Sequence, residues 1–185
     1  MKQFVSIYNN ATTKVLAEDV FNELIKCNSW KKSLVYGKTN LDKINIPVAS
    51  DTRTCSSLPK SDPSYNKMCD QIDLIFNYCV NDYAEKYNAT LLDDNEKYSY
   101  GFVQYKTGEY YSIHSDDAGS QMRKISTTLY LNDDYLGGEL FFDKINFSYK
   151  PKMGDLIIFP SSFPFSHEAK PVTNGTKYCV IKFWT

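Results

Sequence analysis

The sequence predicts an α+β fold in which helices pack on an antiparallel β-sandwich or jelly roll. Three observations predict it. Apolar residues of the N-terminal half recur at helical spacing, the period changes to two from about Glu96, and turn residues separate the period-two segments. Helices first and strands second is the order of segregated α+β layers rather than of alternating βαβ units.

The elements follow in chain order. Thr12 or Thr13 offers a cap for a helix running to about Cys27, with Val15, Leu16, Val20, Phe21, Leu24 and Ile25 at helical spacing. Residues 30–65 hold Pro47, Pro59 and Pro63 among many Ser, Asp, Asn and Lys. They lack sustained periodicity, which predicts loop with a short strand around Ile44–Val48. A second helix is expected from the Ser61-Asp62-Pro63 cap to about Tyr87, with Met68, Ile72, Leu74, Ile75, Tyr78, Cys79 and Tyr83 as its apolar set. Strands are expected at Tyr98–Tyr105, Tyr110–Ser115, Lys124–Asn132, Glu139–Phe142, Asp155–Pro160 and Tyr178–Trp184. Gly108, Asn132-Asp133-Asp134, Gly137-Gly138 and Asn174-Gly175 supply the turns between them. No internal repeat or linker interrupts the 185 residues. One domain is expected, with 1–95 mostly helical support and loop and 96–185 the jelly-roll core.

Composition narrows the function classes. Hydrophobic residues make up 42% and aromatics 15%, so a packed core is expected. Lys plus Arg (21) balances Asp plus Glu (22), which gives no global reason for a nucleic-acid partner or a polybasic membrane anchor. The opening MKQFVSIYNN has no apolar run of signal-peptide length, and no stretch approaches the ~18 apolar residues of a membrane span. The five cysteines are an odd number without a C-x-x-C pair, and read as small buried hydrophobes in a reducing compartment. Sequons at Asn10, Asn88, Asn146 and Asn174 carry little weight without a secretion signal. A soluble cytoplasmic protein is the expectation.

There are only two histidines. His114 and Asp116 form an H-x-D step, and residues two apart on a strand share a face. His167 stands near the start of the last strand pair. Two imidazoles and one carboxylate on one face of a metal leave positions open, the donor set of non-haem Fe(II) oxygenases; the same set also suits zinc. Lys177 follows ten residues after His167, where its ammonium can meet the far carboxylate of a bidentate oxo acid. In Lys124–Asn132, Ser126, Thr128 and Tyr130 share one strand face, and Tyr105 on the preceding strand supplies another phenol. Each feature alone has an ordinary reading: a surface H-x-D, a satisfied core histidine, a solvated turn lysine, the wet face of a sheet. Their order together, with no histidine spent elsewhere, points to a metal centre.

His114-x-Asp116, then His167, then Lys177 resembles the prolyl 4-hydroxylase branch of the 2-oxoglutarate, Fe(II)-dependent oxygenases. So do Thr127 to Asp133, Tyr135-Leu136-Gly137-Gly138-Glu139-Leu140-Phe141-Phe142, Pro151 to Pro160, Pro164 to Glu168 and Pro171 to Tyr178. The resemblance covers about residues 96–185 and implies a double-stranded β-helix (jelly-roll) core with N-terminal supporting helices. It implies Fe(II) held by His114, Asp116 and His167, and a catalytic set completed by Lys177. The cosubstrates implied are 2-oxoglutarate, contacted by Lys177, Tyr105 and Tyr130, and O2; ascorbate fits as an accessory reductant. Tyr111 and Arg123 match substrate-facing positions. Of the adjacent Phe183 and Trp184, alternation counted from Lys177 favours Phe183, at a position that is often tryptophan. A threonine that some members place after Gly-Gly-Glu is Leu140 here. The carboxylate of Asp116 separates this sequence from the related halogenases.

The implied reaction is hydroxylation of a C–H bond with succinate and CO2 as coproducts. A peptide or protein prolyl residue is the first expectation, with Asp51-Thr52-Arg53-Thr54-Cys55-Ser56-Ser57 of the 40–60 loop closing over it. The alternatives are another amino-acid side chain or a small molecule, or a non-catalytic jelly-roll binding module. No nucleic-acid or membrane partner is expected: the net charge is −1, and Lys177 stands where the nucleic-acid demethylases typically have arginine.

Overall fold

The computed structural model describes residues 1–38, 45–48, 50–91, 99–117 and 123–185, with the backbone alone for 36–38 and 45–48. The start of the strand expected at Tyr98, the boundary at 96 and parts of the 40–60 loop lie outside the described residues. The N-terminal half runs β1 (Ser6–Tyr8), α1 (Lys14–Leu24), β2 (Lys31–Lys32), β3 (Val35–Lys38), β4 (Asn45–Val48), β5 (Ser56–Ser57) and α2 (Tyr65–Tyr87). The strand-rich half continues with β6 (Gly101–Lys106), β7 (Tyr111–His114), β8 (Ile125–Tyr130), β9 (Leu136–Gly137), β10 (Leu140–Phe142) and β11 (Phe147–Tyr149). It ends with β12 (Leu156–Pro160), β13 (His167–Ala169), β14 (Val172–Asn174) and β15 (Thr176–Trp184).

Local chemistry sets the helix ends. The Thr13 hydroxyl accepts the Leu16 amide at 3.2 Å, so of the two candidate caps Thr13 does the capping, a contact of about 1 kcal/mol. The Asp62 carboxylate accepts the Ser64 amide, and its carbonyl accepts that of Tyr65, which starts α2. Asn88 closes α2 in the left-handed region at φ 49°, and Asn10 and Asn146 also have positive φ. Asparagine is one of the few residues that tolerates this backbone. Three of the four sequon asparagines are thereby explained by chain geometry.

Two antiparallel sheets face each other. The larger has the order β1-β12-β8-β15-β6-β5-β2, the smaller β11-β10-β13-β7, and two ribbons (β14-β9 and β3-β4) flank them. The helices cover the outer face of the large sheet, where Val20, Leu24, Met68, Ile72, Phe76, Phe102, Leu129, Leu131 and Val180 form one core. Each such side chain contributes about 1.5–3 kcal/mol on burial. The inner faces enclose a second core with Val103, Tyr105, Tyr130, Phe142, Ile157, Phe159 and Cys179. Successive residues of β8 and β15 thus serve opposite layers, which is the period of two read in the sequence.

Three features differ from the sequence reading. Leu74 and Tyr78 of α2 are exposed, because the buried stripe runs Met68, Cys69, Ile72, Phe76, Cys79, Val80, Tyr83 and leaves them on the opposite side. The N-terminal half also supplies β1, β2 and β5 to the large sheet, in runs too short to show a period. Finally, the segment expected to close over a peptide is an anchored strap. Thr52 O accepts the Ser112 amide at 2.8 Å, the Thr54 amide donates to Tyr110 O at 3.1 Å, and Ser56–Ser57 pair with β6. It joins the smaller sheet's β7 to the large sheet.

Candidate metal and cosubstrate site

A cavity of about 320 Å³ opens between the two sheets, and every site residue expected from the sequence lines it. At one end stand His114, Asp116 and His167. The register sets His167 of β13 directly opposite His114 of β7. Between them β7 bulges, so Tyr111 pairs with Ala169 while His114 pairs with His167. The extra residue puts Tyr111 and His114 on the same face, where their rings stack with centroids 3.5 Å apart and 16° between planes. Asp116 follows the strand; its amide and that of Asp117 both donate to Ser161 O at 3.0 Å. Arg123 Nη1 holds the Asp116 carbonyl at 3.1 Å.

The donor atoms converge. His114 Nε2 lies 3.4 Å from one Asp116 oxygen and His167 Nε2 lies 3.5 Å from the other, and the three donors fall within 4.8 Å of one another. Those separations exceed the ~2.7–2.9 Å of a charge-assisted hydrogen bond. Both imidazoles are oriented from behind: His114 Nδ1 donates to Ser112 O at 2.8 Å and His167 Nδ1 donates to Phe165 O at 3.0 Å. A carbonyl only accepts, so each Nδ1 carries the proton and each Nε2 presents a lone pair to the centre. Phe142 and Phe159 pack against His167 and fix its ring.

Protonation agrees with ligation. Burial, reinforced by His114, pushes His167 down to about 4 against the pull of Asp116, so the imidazole is neutral near pH 7. Burial raises the Asp116 carboxyl, yet His167, His114 and the Ser126 hydroxyl outweigh it and hold the carboxyl well below its usual range. Two imidazoles, of which His167 is neutral, and a carboxylate, all buried or nearly so, suit a divalent transition metal.

At the other end Lys177 is buried on β15, 2% exposed. Its Nζ donates to Gly138 O at 2.9 Å and lies 4.4 Å from the Tyr105 ring centroid. Burial pushes the amine below its ordinary value. Gly138 makes that approach available: it has φ +68°, and a Cβ there would meet Tyr135 Cε2 at 3.0 Å, Val172 Cγ2 at 3.2 Å and Lys177 Cδ at 3.4 Å. Tyr105 and Tyr130 border the same end, and burial raises both phenols well above their usual value, so they remain neutral donors. A buried ammonium beside the Tyr105 ring, in a cavity that Tyr130 also lines, fits one carboxylate of a small diacid. Leu140 also lines the cavity, with no polar atom to offer.

Tyr111, Arg123 and Phe183 form the remaining wall, with the Arg123 guanidinium 3.8 Å above the Phe183 ring. Phe183 is the one of the adjacent pair that faces the cavity; Trp184 packs into the helix-side core. Arg53, which the sequence places only within the segment closing over a peptide, also borders the cavity, as do Leu34 and Val35, which the sequence does not single out. One signal was available for Arg53: the chain has only two arginines among its 21 basic residues, and both line this cavity.

Residues 100–185 match the family model of the 2OG-Fe(II) oxygenase superfamily. That match covers just under half of the chain. Human prolyl 3-hydroxylase 2 is 40% identical over 67 residues, 34% of this chain and 9% of that protein. The chain spans no more than 42% of the length of the curated relatives first matched. Two solved structures share the fold of the whole chain at 18% identity. The viral collagen prolyl hydroxylase of Paramecium bursaria Chlorella virus-1, solved with 2OG, has a TM-score of 0.63 over 98% of this chain and 95% of that one. The Trichoplax adhaerens prolyl hydroxylase, solved with a hypoxia inducible factor peptide fragment, has a TM-score of 0.66 over 98% of this chain and 83% of that one. Both sheets together thus share the fold of these two structures.

Proposed function

We propose that this chain is an Fe(II)- and 2-oxoglutarate-dependent dioxygenase that hydroxylates a C–H bond, a prolyl residue of a peptide or protein above all. The observation that carries the reading is that one cavity is lined both by three converging metal donors and by a buried lysine set against the Tyr105 ring. In this reading His114, Asp116 and His167 hold Fe(II). When bound, the metal and cosubstrate supply the oxidising chemistry, with O2 and 2-oxoglutarate consumed and succinate and CO2 released.

The chain's own residues bind, orient and shield. The Ser112 and Phe165 carbonyls fix the imidazole tautomers. Lys177, Tyr105 and Tyr130 anchor the distal carboxylate, and the apolar wall of Leu140, Ala169 and Ile181 keeps water from the space between. Tyr111, Arg123 and Phe183 position the target carbon. The likeness to prolyl hydroxylases that act on peptide chains supports a peptide substrate.

Residues 1–185 act as a single domain in this account: α1 and α2 form one core with the large sheet and brace the strands that carry Lys177 and Tyr130. No helix among the described residues is long and apolar enough to cross a membrane. All five cysteines are free and buried, which supports a reducing, cytoplasmic setting.

The test is turnover with proline-containing peptides, Fe(II) and 2-oxoglutarate in air, read as succinate formed and one oxygen atom gained by the peptide in its mass spectrum. Coupled formation of both, lost on chelation of the metal, is expected. Peptide hydrolysis with tight zinc binding instead would replace the oxygenase reading with a metallohydrolase.

A further inference from the structure

We propose that Arg53 makes the mouth of the cavity a carboxylate-reading site, so that the substrate carries an acidic group within about two residues of the oxidised position. The inference rests on the oxygenase reading for the position of the target and deepens it by naming the substrate's charge.

Arg53 sits on the strap that joins the two sheets, bridged to Tyr111. Its guanidinium lies 4.9 Å from the Tyr111 ring centroid, and that ring in turn stacks on His114. Guanidinium, phenol and imidazole therefore form a layered column from the cavity mouth to the metal donors. Nη1 donates to Leu34 O at 3.1 Å and Nε is directed at Cys55 Sγ, 3.4 Å away. No carboxylate among the described residues pairs with Arg53, which lines the cavity and has donors beyond those two bonds. A cation held this way on an aromatic face, inside a cleft, is poised for an anion that arrives with the ligand.

Charge balance gives the same answer. The cavity is lined by three cations, Arg53, Arg123 and Lys177, and one carboxylate, Asp116. A divalent metal and a dianionic oxo acid cancel each other, and Lys177 faces the oxo acid. The charge of Arg53 is left at the mouth with no carboxylate partner among the described residues. Lysine serves everywhere else in the chain. Arginine's planar fork engages a carboxylate bidentately where lysine offers a point charge, so its confinement to this cavity matches carboxylate recognition. Along an extended peptide each residue spans ~3.3 Å, so a column of two stacking steps corresponds to roughly two residues between the target and the acidic group.

The carboxylate has two sources, an acidic side chain of a peptide or the free carboxyl of a small amino-acid derivative, and the test separates them. Binding to the full-length chain is measured by fluorescence anisotropy, anaerobically, with Fe(II) and 2-oxoglutarate and again with neither. The probes are two blocked proline peptides that differ only in Glu or Gln two residues from the proline. N-acetylproline and its amide compete as the second pair. The expected result is at least ~10-fold tighter binding of the acid in one of the two pairs, weakened by salt and reduced to parity in Arg53→Gln. The pair that shows it names the source. Arg53→Lys, which keeps the charge and loses the fork, should retain part of the preference and guards against loss of folding in Arg53→Gln. Equal binding within both pairs, including no binding of any probe, overturns the inference. Succinate formation by the same preparation reports separately on the oxygenase reading.

Discussion

Lys177 and Lys182 are carried by the same strand, β15, and are buried to nearly the same degree, 2% and 4% exposed. They face opposite sides of the sheet. Lys182 points into the helix-side layer, where its ammonium lies 4.6 Å from the Tyr100 ring centroid and 4.3 Å from that of Trp184. Lys177 points into the cavity, with Gly138 O and the Tyr105 ring on one side and open space on the other. Burial alone therefore does not mark a functional lysine. What distinguishes the two is the space beyond the ammonium: Lys177 faces a ligand-sized cavity that three metal donors also line, and Lys182 does not line it.

The largest expected effect is at the metal end. Asp116→Ala removes the only carboxylate of the donor set, and Fe(II) binding measured anaerobically by calorimetry should weaken by ~100-fold or more, with turnover abolished. Lys177 should stay in place, so this variant separates metal loss from loss of the distal anchor. Lys177→Ala should raise the 2-oxoglutarate requirement by ~100-fold while metal affinity is kept, since a buried charge pair is worth about 3 kcal/mol or more when one partner is removed. Lys182→Ala should leave 2-oxoglutarate affinity unchanged and cost about 2 kcal/mol of stability through lost packing of its stem. Equal loss of cosubstrate affinity in the two variants would erase the distinction.

Gly138→Ala sharpens it further. The added Cβ presses on Tyr135 and the Lys177 stem and strains a positive φ, so cosubstrate affinity should fall by ~10-fold with little change in metal affinity. A smaller effect concerns the metal-free protein's response to acid. His167 has a folded-state pKa of about 4 against an ordinary 6.5. The unfolded chain therefore binds more protons between these values, and stability rises with pH across that window. The contribution is fully present above about pH 6.5 and is lost as pH falls towards 4, amounting to at most about 3 kcal/mol. Urea unfolding of the metal-free chain from pH 7 to 4.5 should show this slope, and His167→Gln should flatten it.

Much of this comparison was legible in the sequence, because period-two alternation assigns faces. Counting along β15 put Lys177 and Phe183 on the cavity side and Trp184 away from it, and the structure agrees. Counting along β8 separated Ser126, Thr128 and Tyr130 from Ile125, Leu129 and Leu131 in the same way. The H-x-D step and His167 were recognisable because the chain has no other histidine to distract from them. Alternation fails where strands are two or three residues long, which hid β1, β2 and β5. It also fails at a bulge, so the stacking of Tyr111 on His114 has no signature in spacing. Arg53 lies on a strap held by backbone hydrogen bonds to both sheets, and no side-chain period reports such a connection. Helix faces were legible only in part, since the second helix is amphipathic enough to show a stripe but carries Leu74 and Tyr78 outside it.

The proposed function requires one cavity to join a metal centre to an oxo-acid anchor. The most direct measurement is an anaerobic titration of the metal-free chain with Fe(II) and then 2-oxoglutarate, followed in the visible spectrum. A weak metal-to-ligand charge-transfer band that requires both additions, disappears in Asp116→Ala and needs far more 2-oxoglutarate in Lys177→Ala is the expected result. The absence of such a band in the native chain with both ligands saturating would contradict the proposed function.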